Sequence, residues 1–294
     1  MGALVRSLRL RQWIKNLLLF AGVLFSQRLG EPEMALRALA GFIGFGFLAS
    51  AGYLINDLRD VAADREHPVK RLRPIASGAL SAAAVIAAAT PLIGAGLAIA
   101  LWLGPGFLSV AVSYTLLNLL YSVVLKRQVL LDVFAISVGF VLRAMAGVEL
   151  LRPVAPDTQL SPWLLVCTFF GALFLGFAKR RRELANAGEQ ASRQRPVLDR
   201  YSPELLDGLL AVTASASLIA YALYTIWPGT VAKFGTEALL YTVPFVAYGI
   251  FRYLYLVRAT EQGEDPSLVL IRDAPLAVCV GLYLVTVLVI LYGS

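Results

Sequence analysis

Histidine occurs once in this 294-residue sequence and cysteine only twice. A single imidazole, His67, cannot build a histidine-ligated metal centre. Cys167 and Cys279 stand 112 positions apart inside apolar runs, so neither a disulfide framework nor a zinc cluster is expected. Any metal would take oxygen ligands, which points to magnesium rather than zinc. Charge is scarce too: 15% of the residues are Asp, Glu, Lys or Arg, against roughly 25% in an ordinary soluble domain. No low-complexity tract or separate soluble domain is visible. These shortages exclude disorder, a coiled coil and a water-soluble fold.

What the chain has in abundance is apolar surface. Hydrophobic residues make up 59% of it, and the mean hydropathy is +0.73. A membrane span needs about 20 mostly apolar residues. Nine segments qualify, at 14–30, 36–56, 81–101, 106–125, 130–150, 160–178, 204–227, 236–256 and 274–292. The first follows a basic stretch and imitates a signal peptide. Arg28, Glu31 and Glu33 come next with no small-x-small cleavage site, so it reads as an uncleaved span. The expected architecture is all-α: a polytopic bundle of nine spans in one domain, residues 1–294, with a polar cavity facing the cytoplasm.

The net charge of +7 would hint at nucleic acid in a soluble protein. In a membrane protein the question is which loops hold it. With nine spans, 21 of the 26 basic residues fall on the side of the N-terminus and 4 on the other, with Arg143 inside a span. That bias puts the N-terminus in the cytoplasm and leaves no nucleic-acid partner to expect. The long loops, 57–80 and 179–203, lie on the same side, so any chemistry should face the cytoplasm. The polar stretch at 263–265 with Arg272 and Asp273 joins them there, as a lid or a connector. Gly41, Gly44, Gly46 and Gly52 suit close helix packing.

The most informative stretch closes the second span. Asn56 and Asp57 are followed by Asp60 and Asp64, and on a helix the three aspartates share one face. Such a stripe is tolerable when a cation sits between the carboxylates. Magnesium keeps waters and is often shared with substrate phosphates. Lys70, Arg71 and Arg73 follow closely. Carboxylates for a metal beside cations for phosphate describe a diphosphate site. A solvated, positive-inside loop would explain the cations but not the aligned aspartates at the end of an apolar span.

Asn-Asp-x-x-Asp-x-x-x-Asp, followed by the Arg-Pro-Ile-Ala-Ser-Gly run from Arg73 to Gly78, resembles the UbiA superfamily of intramembrane prenyltransferases. His67-Pro68 and Lys70 within the string make it similar to the decaprenyl-phosphate phosphoribosyltransferase branch. So do Arg11-Gln12-Trp13-Ile14-Lys15-Asn16, Tyr121-Ser122 with Leu125-Lys126, Gly139-Phe140 with Arg143-Ala144 and Ala146-Gly147, and Lys179-Arg180 with Glu183-Leu184. The likeness runs over nearly the whole chain. Superfamily members usually carry a second aspartate-rich motif after the fourth span, whereas this chain has Asp132 alone.

The resemblance implies transfer of 5-phosphoribose from phosphoribosyl pyrophosphate to a decaprenyl-type polyprenyl phosphate, for cell-wall arabinan precursors, in the bacterial inner membrane. Asp57, Asp60 and Asn56 would be catalytic, and Asp57, Asp60 and Asp64 would hold Mg2+. Lys15, Lys70, Arg73, Tyr121 and Lys126 would meet the donor phosphates. Lys126 can equally be read as a topology anchor. Asp132 and Arg143, eleven residues apart and about 16 Å along one helix face, would line a pocket or meet the acceptor, or hold helices together. Lys179 and Arg180 would lie at the acceptor phosphate or bind anionic lipid. Arg181 and Arg182 read as membrane anchors. An assembly of identical chains is compatible with all this. The alternative is a prenyltransferase moving a prenyl group from a prenyl diphosphate to an aromatic or lipid acceptor, against which the single Asp132 argues. A secondary transporter fits poorly, because the charges crowd one mouth and nine spans do not halve into repeats.

Overall fold

The apolar runs become helices in the computed structural model of the chain, which describes residues 2–28, 30–67, 69–187, 197–259, 269 and 272–292. Pro68, residues 188–196 of the loop 179–203 and positions 263–265 lie outside the described residues. No strand occurs among the described residues, and eight helices there are long and apolar enough to cross a membrane.

Two compact units divide the chain, one up to Leu160 and one from Ser161 onward, with Val197 joining the first. The first unit opens with α1 (Gly2–Leu8), a 3-10 helix (Leu10–Leu19) and α2 (Phe20–Phe25). Then come α3 (Pro32–Arg59), α4 (Val61–Glu66), α5 (Ala82–Leu103), α6 (Pro105–Val123) and α7 (Leu131–Glu149). The second unit holds α8 (Pro162–Ala187), α9 (Pro203–Ile226), α10 (Pro228–Phe234), α11 (Val243–Ala259) and α12 (Ala274–Tyr292). Proline opens α3, α6, α9 and α10, where its missing N–H costs nothing. Gly104, at φ 122°, makes the single-residue turn between α5 and α6.

The expected span at 14–30 takes a different form. It is a ten-residue 3-10 helix running into the six residues of α2. At about 2.0 Å per 3-10 residue and 1.5 Å per α residue, the pair reaches about 29 Å, close to the hydrocarbon thickness of a bilayer. Three residues per turn put Trp13, Asn16 and Leu19 on one edge. That edge packs between α3 and α7. Asn16 and Leu19 are buried there.

In the first unit α3 runs along α5, and α6 along α7. Leu19, Phe45, Phe107, Tyr114 and Leu150 form the centre of the core. Phe45 meets the Phe107 ring edge-on at 5.5 Å. Gly41, Gly44 and Gly46 do serve close packing. A Cβ at Gly46 would lie 2.7 Å from the Trp13 ring, and those at Gly41 and Gly44 would lie 3.1 Å from Leu150 and Ile99. Gly52 makes only ordinary contact, with Asn118.

At the end of this unit away from Asp57, Arg37 is buried and joins three helices. Its Nε donates to the Leu150 carbonyl at 2.7 Å, and its Nη2 to the Leu103 carbonyl at 2.5 Å. Leu103 is the last residue of α5 and Leu150 the C-terminal cap of α7, positions whose carbonyls have no partner within the helix. Replacing Arg37 with methionine leaves both oxygens buried without a donor. The loss expected is about 2–4 kcal/mol, read as a lower melting temperature of the detergent-solubilised protein.

In the second unit α8 packs on α9, and α11 on α12. A cavity of about 340 Å³ lies among Cys167, Phe174, Tyr221, Phe245, Tyr253 and Tyr283. Its walls are almost wholly apolar. Tyr221 makes its polar contacts with Thr242, 2.6 Å away, and with the Tyr283 hydroxyl at 3.2 Å.

Candidate active site

The aspartate motif straddles a helix break. Asp57 lies in the last turn of α3, Asp60 is the residue between α3 and α4, and Asp64 lies in α4. The backbone bonds from Asp60 N–H to Asn56 and from Asp64 N–H to Asp60 keep the rise nearly helical. Asp57 and Asp64 therefore share a face, two turns apart. Asp60 turns toward Asn56. The expected single stripe is thus divided.

Each carboxylate has its own cation. Arg9 Nη2 donates to both oxygens of Asp57, at 2.6 and 2.7 Å. Arg73 Nη1 bridges Asp57 Oδ1 at 3.1 Å and Asp64 Oδ2 at 2.7 Å. Lys126 Nζ lies 2.5 Å from Asp60 Oδ1 and 3.0 Å from Asn56 Oδ1. Asn56 Nδ2 donates to the other Asp60 oxygen at 3.1 Å. Three negative and three positive side chains thus form one neutral cluster. Asp57 is almost fully buried, with 4% of its side chain exposed, whereas Asp60 keeps 27%. Burial pushes the Asp64 carboxyl above the usual carboxylate range, although Arg73 and, more weakly, Lys70 pull it down.

Local sequence explains these placements. Pro74 forces the preceding residue into an extended conformation. Arg73 accordingly ends the 3-10 turn Lys70–Leu72 at ψ 143° and turns back toward α3. Ile75, buried among Leu54, Val85 and Ala89, pins the following loop, and Arg65 Nε holds the Ala76 carbonyl at 3.1 Å. His67 Nδ1 accepts the Val69 and Lys70 N–H groups, which makes it a turn residue. Lys126 comes from the 3-10 turn Leu125–Arg127 that follows α6.

Arg9 is a site residue that no sequence motif marks. It sits at φ 51°, ψ 49°, between α1 and the 3-10 helix. A left-handed non-glycine residue is uncommon, and such residues cluster at functional sites. Spacing along the chain does not pair it with a residue 48 positions away.

Other predicted residues make no hydrogen bond to the cluster that the structure describes, although Lys70 lies beside it. Lys70 and Tyr121 are half-buried, Lys70 beside Asp64 and Tyr121 in the last turn of α6. Lys15 is half-buried on the 3-10 helix, and Asp132 is fully buried in the first turn of α7. Arg143 is buried with neutral partners. Its Nε donates to Asn16 Oδ1 at 2.8 Å, Nη2 to the Tyr114 hydroxyl at 2.6 Å and Nη1 to the Gly139 carbonyl at 3.2 Å. The Tyr114 ring lies under its guanidinium at 4.7 Å. Asn16 Nδ2 is buried with no hydrogen-bond partner.

In the second unit, Lys179 is half-buried and Arg180 is buried against Glu183 at 2.6 Å. Arg181 meets Asp207 at 3.2 Å. Arg182, read from the sequence as a surface anchor, is buried instead. One of its nitrogens donates to the Val257 carbonyl at 3.3 Å, while Nε and Nη2 have no partner. Buried guanidinium donors left unmet are costly.

Among the described residues no group of three His, Cys, Asp or Glu side chains is gathered to enclose a metal. The donor set nonetheless suits magnesium, which commonly takes one or two carboxylates and completes its shell with water and substrate phosphate. Asp57, Asp60 and Asn56 offer oxygen at the mouth of a span, and the neighbouring cations suit phosphate.

Comparison with known proteins gives the family and the fold. A family model described as the UbiA prenyltransferase family matches residues 17–272. A decaprenyl-phosphate phosphoribosyltransferase of Mycolicibacterium smegmatis is 34% identical, over 94% of this chain and 88% of its own. One of Mycobacterium tuberculosis is 33% identical, over 97% and 93%. A UbiA homolog from Archaeoglobus fulgidus bound to GPP and Mg2+ superposes with a TM-score of 0.74 at 18% identity, covering 98% of this chain and 99% of that one. Matched over most of its length by the family model and by relatives a third identical, the chain belongs to the UbiA prenyltransferase family.

Proposed function

We propose that this chain is a magnesium-dependent enzyme that transfers 5-phosphoribose from phosphoribosyl pyrophosphate to a decaprenyl-type polyprenyl phosphate and releases pyrophosphate. The whole chain would be one integral membrane domain, with the N-terminus and the site at the cytoplasmic face of the inner membrane. The observation that carries the reading is the cluster of three carboxylates and three cations where α3 ends. The names of the relatives supply its substrate classes.

The chemistry suits these residues. Cleavage at the anomeric carbon leaves positive charge on the sugar and negative charge on the diphosphate. Asp57 and Asp60, with Asn56 orienting Asp60, would hold magnesium, whose charge offsets that of the departing diphosphate. Arg73 and Lys126 would bind phosphate oxygens as fixed cations, with Lys15, Lys70 and Tyr121 around them. The acceptor phosphate is already an anion, so its oxygen attacks without a general base, which fits a chain with one histidine. Asp132 and Arg143 would shape the pocket. Lys179, Arg180 and the unmet donors of Arg182 suit the acceptor phosphate. The apolar cavity of the second unit suits hydrocarbon.

Purified protein given magnesium, phosphoribosyl pyrophosphate and decaprenyl phosphate should release pyrophosphate and form a phosphoribosyl lipid, and chelation of the metal should stop both. Turnover only with a prenyl diphosphate and an aromatic acceptor would overturn the assignment in favour of prenyl transfer.

A further inference from the structure

Arg9 is held in place by a built surface. On α3, Gly46, Ser50, Tyr53 and Asp57 form one stripe. Gly46 receives the Trp13 ring. Ser50 Oγ accepts from Trp13 Nε1 at 3.0 Å and donates to the Leu8 carbonyl at 2.9 Å. Tyr53 carries the Arg9 guanidinium over its ring at 5.0 Å. Asp57, one turn further on, accepts from Arg9 Nη2 at both oxygens, and its Oδ1 also accepts from Arg73 Nη1. A left-handed backbone at Arg9 itself, which costs about 1–2 kcal/mol, is what turns the side chain onto this stripe.

That clamp conflicts with the use of Asp57 proposed above. Both Asp57 oxygens are engaged by Arg9, so a divalent cation arriving there meets a guanidinium in its way. Like charges at a few ångströms in a buried setting repel strongly. Arg9 must then leave Asp57, and no nearby carboxylate of the cluster awaits it. Asp60 is held by Lys126, and Asp64 by Arg73. The new negative charge that would share the metal at Asp57 is the donor's diphosphate.

We propose that Arg9 is a donor-binding residue that exchanges partners: it clamps Asp57 while the site is empty and clamps the donor's diphosphate once metal has taken Asp57. Arg9 thereby competes with metal alone and cooperates with metal and anion together. The consequence is coupling, in which metal and diphosphate each bind poorly without the other. The inference rests on the proposed donor and metal reading.

The test uses binding rather than turnover, on the full chain in detergent or nanodiscs. Mn2+ binding is read by electron paramagnetic resonance, with and without inorganic pyrophosphate. Wild type should bind Mn2+ weakly alone and on the order of tenfold or more tightly with pyrophosphate. In Arg9→Gln the two affinities should move in opposite directions. Mn2+ alone should bind several-fold more tightly, and pyrophosphate at saturating Mn2+ on the order of tenfold more weakly. Arg9→Lys keeps the charge without the fork and should fall between. It also serves if the glutamine variant does not fold. A purely structural Arg9 would shift both affinities the same way or neither, and either result overturns the inference while leaving the donor reading intact. Wild type that binds neither Mn2+ nor pyrophosphate would overturn the donor reading, and the exchange with it.

Discussion

Asp57→Asn is expected to lower turnover of phosphoribosyl pyrophosphate by about 10³-fold or more, the scale on which deleting a principal electrostatic group acts. The substitution keeps shape and volume, so packing is not its target. It removes one negative charge from a cluster in which three carboxylates face three cations, and it removes the most deeply buried of the three. Arg9 then loses its carboxylate and Arg73 keeps only Asp64, and on the proposed function magnesium would lose its innermost oxygen donor. Two guanidiniums without their carboxylate would attract the diphosphate, so KM for the donor should change far less than kcat. That split separates a lost metal ligand from a damaged binding site. Raising the magnesium concentration should not restore the rate. The folded protein should remain extractable, with a lower melting temperature because Arg9 and Arg73 lose the charge between them; kcat is read on that folded protein. A variant with near-normal kcat would remove Asp57 from the catalytic machinery. Asp60→Asn should behave similarly, since it leaves Lys126 facing only carboxamides.

Much of this architecture is legible because the bilayer imposes a length. Apolar runs near 20 residues long have to be spans, and eight of the expected segments overlap helices that meet the length and hydropathy of a span. The segment 14–30 is legible as apolar but not as a 3-10 helix. Its conformation depends on Trp13, Asn16 and Leu19 docking on α3 and α7, which is tertiary information. Asp57, Asp60 and Asp64 stand out because carboxylates at a membrane edge are costly without a role. Their partners do not stand out. Lys126 and Asp60 are 66 positions apart, and Arg9 and Asp57 are 48 apart. Only Arg73 is close in sequence, and its placement follows from Pro74. Arg182 misleads because a basic residue at the end of a span usually anchors in the headgroups, and nothing local signals burial.

Among the described glycines of the first unit, Gly147 and its partner Gly22 should be the two where an added methyl destabilises most. A Cβ at Gly147 would lie 2.3 Å from the Leu19 carbonyl oxygen, and one at Gly22 would lie 1.8 Å from the Gly147 carbonyl oxygen. Both obstacles are backbone, so no rotamer change relieves them. The backbones of α2 and α7 touch here as small residues allow in membranes. Alanine for glycine within a helix ordinarily stabilises by about 1 kcal/mol. Gly171→Ala, where nothing lies within 4 Å, should follow that rule and melt at or above the wild-type temperature. Gly147→Ala should instead lose on the order of 4 kcal/mol or more, as forced overpacking against backbone does. The loss should reach the site as well. Moving Leu19 away from α7 shifts Asn16 off Arg143 and Trp13 off Ser50, and Arg9 is carried by the same segment. A fraction of Gly147→Ala that survives purification should therefore show weakened coupling between Mn2+ and pyrophosphate, with Asp57, Asp60 and Lys126 all intact. Equal melting temperatures for the Gly147 and Gly171 variants would contradict this helix contact, and with it the route by which the N-terminal segment is held over the aspartates.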